Sequence, residues 1–462
     1  MVAISKILNN GLLLVPQSVY ESLATPEQAS VEGYNIINFL GGSAPYKQRT
    51  GYGISTEIPR ECKLHQVQLF SRHGERYPSK GDGVQFEKIM DQFHLYKQPF
   101  QGDLAFLNEY KYFVEDPGNY EQETSTTNSA GIFAGTTDEL RHGAVFRTKY
   151  GGLFDTDKVL PIFTTNSRRC HQTSEFFARG FLGDEYTGAK VKYVIIDEDG
   201  KMGANSLTPR YGCPNFKDDV NKDMVSKYDK SYLDNILARW VAQNPGSDFT
   251  PQYVGSLFLW CAFEINVKGH SPFCNLFTNE EYIRESYRND LENYYSIGPG
   301  NDFAKVVGSP MLESVLKILK DEHAENKIWL SFTHDTDLEL LLTSLGLLNE
   351  KGDLPIDEVL FPNSNSAAEL LPQGARIYIE KYGCGEANYV RFIINEAVFP
   401  IPKCSAGPGF SCEFKTFISI IEERLKGINY HNQCGLDSES PSALTFYWDY
   451  NKVNYNATLI NQ

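Results

Sequence analysis

Val67-Gln68-Leu69-Phe70, an apolar and strand-like run, leads into Arg72-His73-Gly74-Glu75-Arg76-Tyr77-Pro78. The histidine lies between two guanidinium groups, an unusual neighbourhood for a residue with only a packing role. Like charges at close range disfavour protonation of an imidazole, and a neutral ring keeps the lone pair that a nucleophile needs. The same arginines present forked donors that suit phosphate oxygens. The heptapeptide therefore has the means to hold a phosphate and attack its phosphorus. The plain alternative is a surface turn with a solvated basic patch and a packed histidine; the second arginine and the Pro78 stop argue against it.

Two further segments repeat the same grammar of strand, polar turn and helix. Leu160 to Thr165 precedes Asn166-Ser167-Arg168-Arg169 and a helical run through Phe176, Phe177 and Phe181, with Gly180 near the expected stop. Ile328 to Phe332 precedes Thr333-His334-Asp335-Thr336, then Leu338, Leu341, Leu342 and Leu345 at helical spacing, closed by Gly346. In open α/β sheets, ligands collect outside the carboxyl ends of strands, where helix amino termini favour anions. All three basic or acid–base clusters fall at such ends. Singly they are weak signals: Arg168-Arg169 also reads as a solvated helix start, and His334-Asp335 as a capping pair.

Residues 190–196 read as another strand, and 375–381 with 389–395 as a hairpin around Gly383-Cys384-Gly385. The expected fold is α/β: a mixed, mainly parallel sheet with helices on both faces, plus a smaller inserted α-helical cap domain. The α/β catalytic domain is assigned to 55–80, 160–213 and 296–462, the cap to 81–159 and 214–295, and an amino-terminal extension to 1–54. That extension is a candidate contact for a homo-oligomer. Its opening stretch makes a poor signal peptide.

A formal charge of −16 argues against binding nucleic acid or anionic membrane, and no run is long enough to cross a bilayer. An anionic substrate must then be drawn by a local basic pocket. The nine cysteines include no C-x-x-C pair of zinc spacing. Their scatter beside turn residues suits bridges in a secreted enzyme; the alternative is a reduced cytosolic protein with buried thiols. Cys404 with Cys412, and Cys261 with Cys274, read as local bridges, and Cys170 as the unpaired thiol. Asn456-Ala457-Thr458 is a glycosylation sequon.

The heptapeptide, followed far downstream by His334-Asp335, resembles the histidine acid phosphatases. Asn166 to His171, Ser331 to Asp337, Pro372-Gln373-Gly374-Ala375-Arg376 and Gly407 to Cys412 look like the secreted yeast acid phosphatases and phytases. The resemblance spans about residues 60–450 and implies the same α/β domain with an inserted helical domain, a fold shared with phosphoglycerate-mutase-like enzymes. It implies His73 as nucleophile, Asp335 as proton donor, and Arg72, Arg76, Arg169 and His334 as phosphate ligands, with Arg168 the fallback for Arg169. It gives Glu75 no role. It also implies four bridges, Cys62–Cys384, Cys213–Cys434, Cys261–Cys274 and Cys404–Cys412.

The expected activity is acid phosphomonoester hydrolysis through a phosphohistidine, with no metal and no other cofactor, because the arginines supply the positive charge. Phosphate monoesters are the expected partners, with myo-inositol hexakisphosphate favoured. Broad-specificity secreted acid phosphatase is the alternative, and a catalytically silent extracellular protein a weaker one. Lys80 is open to two readings, an outer contact to a second phosphate or a solvated loop lysine. The expected location is outside the cell or in the periplasm or cell wall.

Overall fold

The computed structural model describes residues 35–129, 131–348 and 352–461. Eight strands form one mixed sheet: β1 (Cys62–Arg72), β2 (Leu160–Thr165), β3 (Val191–Ile196), β4 (Ile328–Thr333), β5 (Arg376–Cys384), β6 (Ala387–Ile394), β7 (Ala397–Phe399) and β8 (Cys412–Glu413). Their order is β3-β2-β4-β1-β5-β6-β7, with β8 on β6. The pairs β3/β2, β2/β4 and β4/β1 are parallel; β5 to β8 continue antiparallel. The three strands that deliver polar turns are thus neighbours at the centre.

Side chains alternate faces along each strand. Val67, Leu69, Ile162, Leu330 and Phe332 face one layer of helices, α2 (Gly135–Tyr150) and α3 (Arg168–Leu182), through Phe146, Tyr150, Phe177 and Phe181. Phe70, Phe163, Val194 and Trp329 face the other layer, α7 (Ser309–Lys320), α8 (Asp335–Leu345) and α9 (Phe414–Leu425). Gln66 and Gln68 are buried in β1 and escape the cost of orphaned amides in part. Each donates Nε2 to a carbonyl of α7, Ile318 at 3.1 Å and Val315 at 3.2 Å.

A separate core holds the cap: α1 (Lys80–Leu95), α4 (Ser231–Gln243), α5 (Pro251–Lys268) and α6 (Asn279–Ser296). Phe86, Trp240, Trp260, Phe273 and Tyr282 are buried there together with Phe39 and Leu40 of the amino-terminal extension. Disulfides join Cys62 to Cys384, Cys213 to Cys434, Cys261 to Cys274 and Cys404 to Cys412, and Cys170 is free and buried.

Helix α3 ends close to Gly180, at Leu182, with Gly183 at φ +55° as its cap. Gly180 is where α2 crosses: a Cβ there would sit 2.0 Å from the Leu140 carbonyl, and one at Gly143 2.1 Å from that of Phe177. Two glycines let the helix backbones touch. Consequently α2, which falls in the 81–159 stretch read as cap, packs on the sheet. The 35–54 part of the extension is built into the body, with residues 36–39 and 41–43 forming short 3-10 turns.

Candidate active site

In the parallel pairing of β1 and β4, Arg72 lies opposite Thr333, so His73 and His334 leave the sheet side by side. Their rings meet edge to face with centroids 5.7 Å apart. Thr164 of β2 lies opposite Phe332, and the chain beyond it enters α3 and brings Arg169 Nη2 to 3.4 Å from His334 Nδ1. Asp335 is the first residue of α8, and its Oδ2 is 2.9 Å from Arg72 Nη2. Arg72, Arg76 and Asp335 line one cavity of about 1000 Å³.

His73 is buried, and its Nδ1 lies 2.9 Å from the Gly74 carbonyl oxygen. A carbonyl only accepts, so Nδ1 carries the hydrogen and Nε2 carries the lone pair. Burial, then Arg169, Arg72, Arg76 and His334, hold the imidazole pKa well below its usual value. These causes all favour the neutral ring, with its lone pair on Nε2. Gly74 is needed for close approach: its amide donates to Thr173 Oγ1 at 2.9 Å, and a Cβ would lie 2.3 Å from Glu123 Oε1.

The arginines are fixed from behind. Arg72 Nη1 donates to the carbonyls of Gly42 and of Leu371, the latter at 2.6 Å. The Arg76 amide donates to Gln373 Oε1 at 2.7 Å, its Nη1 to the Tyr77 carbonyl at 2.8 Å, and its guanidinium lies over Phe263. The buried Nε–H groups of Arg72 and Arg76 have no acceptor among the described residues. Crowded cations with spare donors make an anion site.

Glu198 completes the cluster. Its Oε1 is 2.6 Å from His334 Nε2. Burial opposes its charge, but the hydrogen bond and charge of His334 prevail and keep its pKa low. Burial lowers the pKa of His334, with Glu198 opposing. In its neutral form the ring donates Nε2–H to Glu198, and a second donor at Nδ1 exists only when the ring is protonated. Asp335 is about one-third exposed to the cleft. Burial again opposes its charge, yet Arg72 first, then His334 and the Thr336 amide, bring the carboxyl down to about 2. In the resting enzyme it is a carboxylate paired with Arg72.

Of the other residues singled out by sequence, Arg168 turns away and donates Nε to Asn461 Oδ1 at 2.8 Å. Lys80 is exposed at the start of α1, the helix that Ser79 caps. Asn456 is exposed. Glu75, given no role, is buried with Oε1 accepting from the Tyr46 amide at 2.6 Å. Glu198 went unread, although it stands two residues past the end of β3, where the strand-end rule used for the other three would have found it. The cavity wall at Phe39 to Ser43 had no sequence signal.

The class is that of the histidine phosphatases: residues 63–395 match the model of the histidine phosphatase superfamily, branch 2, and the chain belongs to that family. A phytase of Candida albicans is 56% identical over 460 residues, covering 99% of this chain and 100% of its own. An acid phosphatase of Saccharomyces cerevisiae is 41% identical over 435 residues, 92% of either chain. The crystal structure of the phytase from D. castellii matches with a TM-score of 0.92 at 54% identity, covering 99% of this chain and 100% of that one. A multiple inositol polyphosphate phosphatase of Bifidobacterium longum shares the fold, with a TM-score of 0.60 at 13% identity over 83% of this chain and 97% of its own.

Proposed function

We propose that this histidine phosphatase hydrolyses phosphate monoesters in acid through a phosphohistidine at His73, with myo-inositol hexakisphosphate as principal substrate. The observation that carries the reading is the neutral Nε2 of His73 held among Arg72, Arg76 and Arg169, with Asp335 in the same cluster. The ester phosphate sits on the arginines, displacing Asp335 from Arg72. The arriving anion and the loss of that pairing raise the pKa of the carboxyl, which takes up a proton. His73 Nε2 then attacks phosphorus as the bond to the ester oxygen breaks, and Asp335 protonates that oxygen as it leaves. Water next attacks the phosphoryl group and gives a proton to Asp335; the phosphorus–nitrogen bond breaks and phosphate departs. Guanidiniums stabilise the equatorial oxygens throughout. Protonated His334, backed by Glu198, adds a further donor.

Phytate as substrate is supported by the Candida albicans and D. castellii relatives, both phytases. The broader acid phosphatase reading keeps one specific support. Beyond the reacting centre the cavity is lined by Asp229, Asp234, Glu285 and Glu292 against Lys230 and Arg288, a balance that does not favour polyanions in general. Specificity constants on hexakisphosphate and on a simple alkyl phosphate decide between them, with His73→Ala as the inactive control. If the hexakisphosphate is the poorer substrate, the phytase reading falls. Four disulfides suit an oxidising compartment, and secretion with glycan at Asn456 is part of the proposal. So is a homo-oligomer through the extension, which light scattering tests.

A further inference from the structure

Strand β3 is the sheet's edge beyond β2, and a segment at 455–461 closes that edge at its functional end. Asn456 bridges Ile195 in parallel, and Ile460 bridges Ser167, the residue that precedes α3. The Ile195 amide donates to the Tyr455 carbonyl at 3.0 Å, and the Ala457 amide to the Ile195 carbonyl at 3.2 Å. Further on, the Ile460 amide donates to the Asn166 carbonyl at 2.9 Å, and the Arg168 amide to the Ile460 carbonyl at 2.8 Å. The segment is thus laced to the turn that carries Arg169.

Asn166 is the knot of this lacing. It is buried, and its side chain meets one donor and two acceptors. Oδ1 accepts the Glu198 amide at 3.0 Å, while Nδ2 donates to Asp197 Oδ1 at 2.9 Å and to the Thr458 carbonyl at 3.0 Å. A carboxamide offers both kinds of atom at this reach; a carboxylate of the same shape brings no N–H to Asp197 or Thr458. The contacts close a ring through the anion site. Asn166 fixes the Glu198 backbone, and Glu198 Oε1 lies 2.6 Å from His334 Nε2. His334 Nδ1 lies 3.4 Å from Nη2 of Arg169, which stands one helix turn along the chain from Asn166.

We propose that Asn166 is a positioning residue for the phosphate site, and that the segment 455–461 keeps it in place by gripping both its carbonyl and its carboxamide. Both act at a distance, through Arg169 and Glu198. A guanidinium displaced by about 1 Å loses much of its charge-assisted hydrogen bonding to a phosphoryl oxygen, so phosphate affinity depends on this brace. The proposal rests on the phosphomonoesterase reading and deepens it, adding the element that sets two of the groups around the anion.

Phosphorus NMR titration, which reads weak as well as tight binding, measures Kd for inorganic phosphate in the parent, in Asn166→Ala and in Ile460→Pro, which removes the amide that holds the Asn166 carbonyl. Each is measured with and without Arg169→Met. Asn166→Ala is expected to weaken phosphate about tenfold and Ile460→Pro about three- to fivefold. In the Arg169→Met background Ile460→Pro is expected to cost less than about twofold, because the group it positioned is gone. Should Asn166→Ala fail to fold, Ile460→Pro decides, since Ile460 is exposed on the outer segment. A role in stability alone lowers the unfolding temperature of Ile460→Pro and leaves its Kd within about twofold of the parent, or weakens phosphate equally in both backgrounds; either result overturns the proposal. The expected pattern of affinities without phosphate release from esters by the parent enzyme would instead sink the phosphatase reading and leave the positioning role standing.

Discussion

Glu75 lies between His73 and Arg76 in sequence and can be made permanently neutral by replacing one oxygen with an amide. It is fully buried, Oε1 accepts the Tyr46 amide, and Oε2 has no partner among the described residues. Burial first, then Asp138, push its carboxyl up to about 8. Burial pushes Glu139 up to about 8 against the pull of Arg376, and raises Glu123 well above the carboxylate range. Folded-state values above the unfolded value of about 4.3 mean that the folded protein binds more protons across that window. Stability from these groups is complete below pH ~4.3 and is lost as pH rises through about 8. Each independent group contributes a slope of about 1.4 kcal/mol per pH unit. Shared between coupled neighbours, the part belonging to Glu75 is on the order of 2–5 kcal/mol across the window.

Glu75→Gln keeps the acceptor for Tyr46 and never ionises. Its unfolding temperature is expected to match the parent near pH ~4 and to exceed it by several degrees near pH ~8. Scanning calorimetry over that range is the assay. Curves of equal slope for parent and variant would refute the claim that Glu75 holds a proton behind the nucleophile.

Asp335→Asn should cost about 10²–10⁴ in kcat on alkyl phosphates and much less on aryl phosphates with good leaving groups, read by stopped phosphate assays. Equal losses contradict its role as leaving-group acid. Glu198→Gln should lower kcat/KM about tenfold and shift the pH profile, because His334 loses the partner that favours its protonated form; an unmoved profile speaks for a purely structural contact. Gly180→Ala should destabilise the protein by about 2–4 kcal/mol by forcing α3 off α2, measured by chemical denaturation; a change near zero would mean the helices part freely.

Much of the catalytic half was legible because it obeys local rules. Strand, turn and helix recur at residues 67–80, 160–182 and 328–346, and sheet pairing sets them side by side, so position in sequence translated into position at one edge. Gly346 reads as a helix stop and is one, in the left-handed conformation. Gly180 does stand near the end of α3, but it also serves close packing against α2, which only the partner helix reveals. The outer cleft was not legible for a different reason. Arg288 pairs with Glu285 and Glu292 on its own helix, but it shares the cavity wall with the strap at 39–43, roughly 250 residues away in sequence.

Acid chemistry at His73 is most directly tested by trapping. The enzyme is mixed with a substrate in rapid flow, quenched under alkaline denaturing conditions that preserve phosphoramidates, digested and sequenced by mass spectrometry. A phosphoryl group on the imidazole of His73, formed and lost at rates matching turnover and absent from Asp335-intact His73→Ala, is the predicted result. Full turnover with no phosphoryl group on that ring, or with one on a different residue, would contradict it.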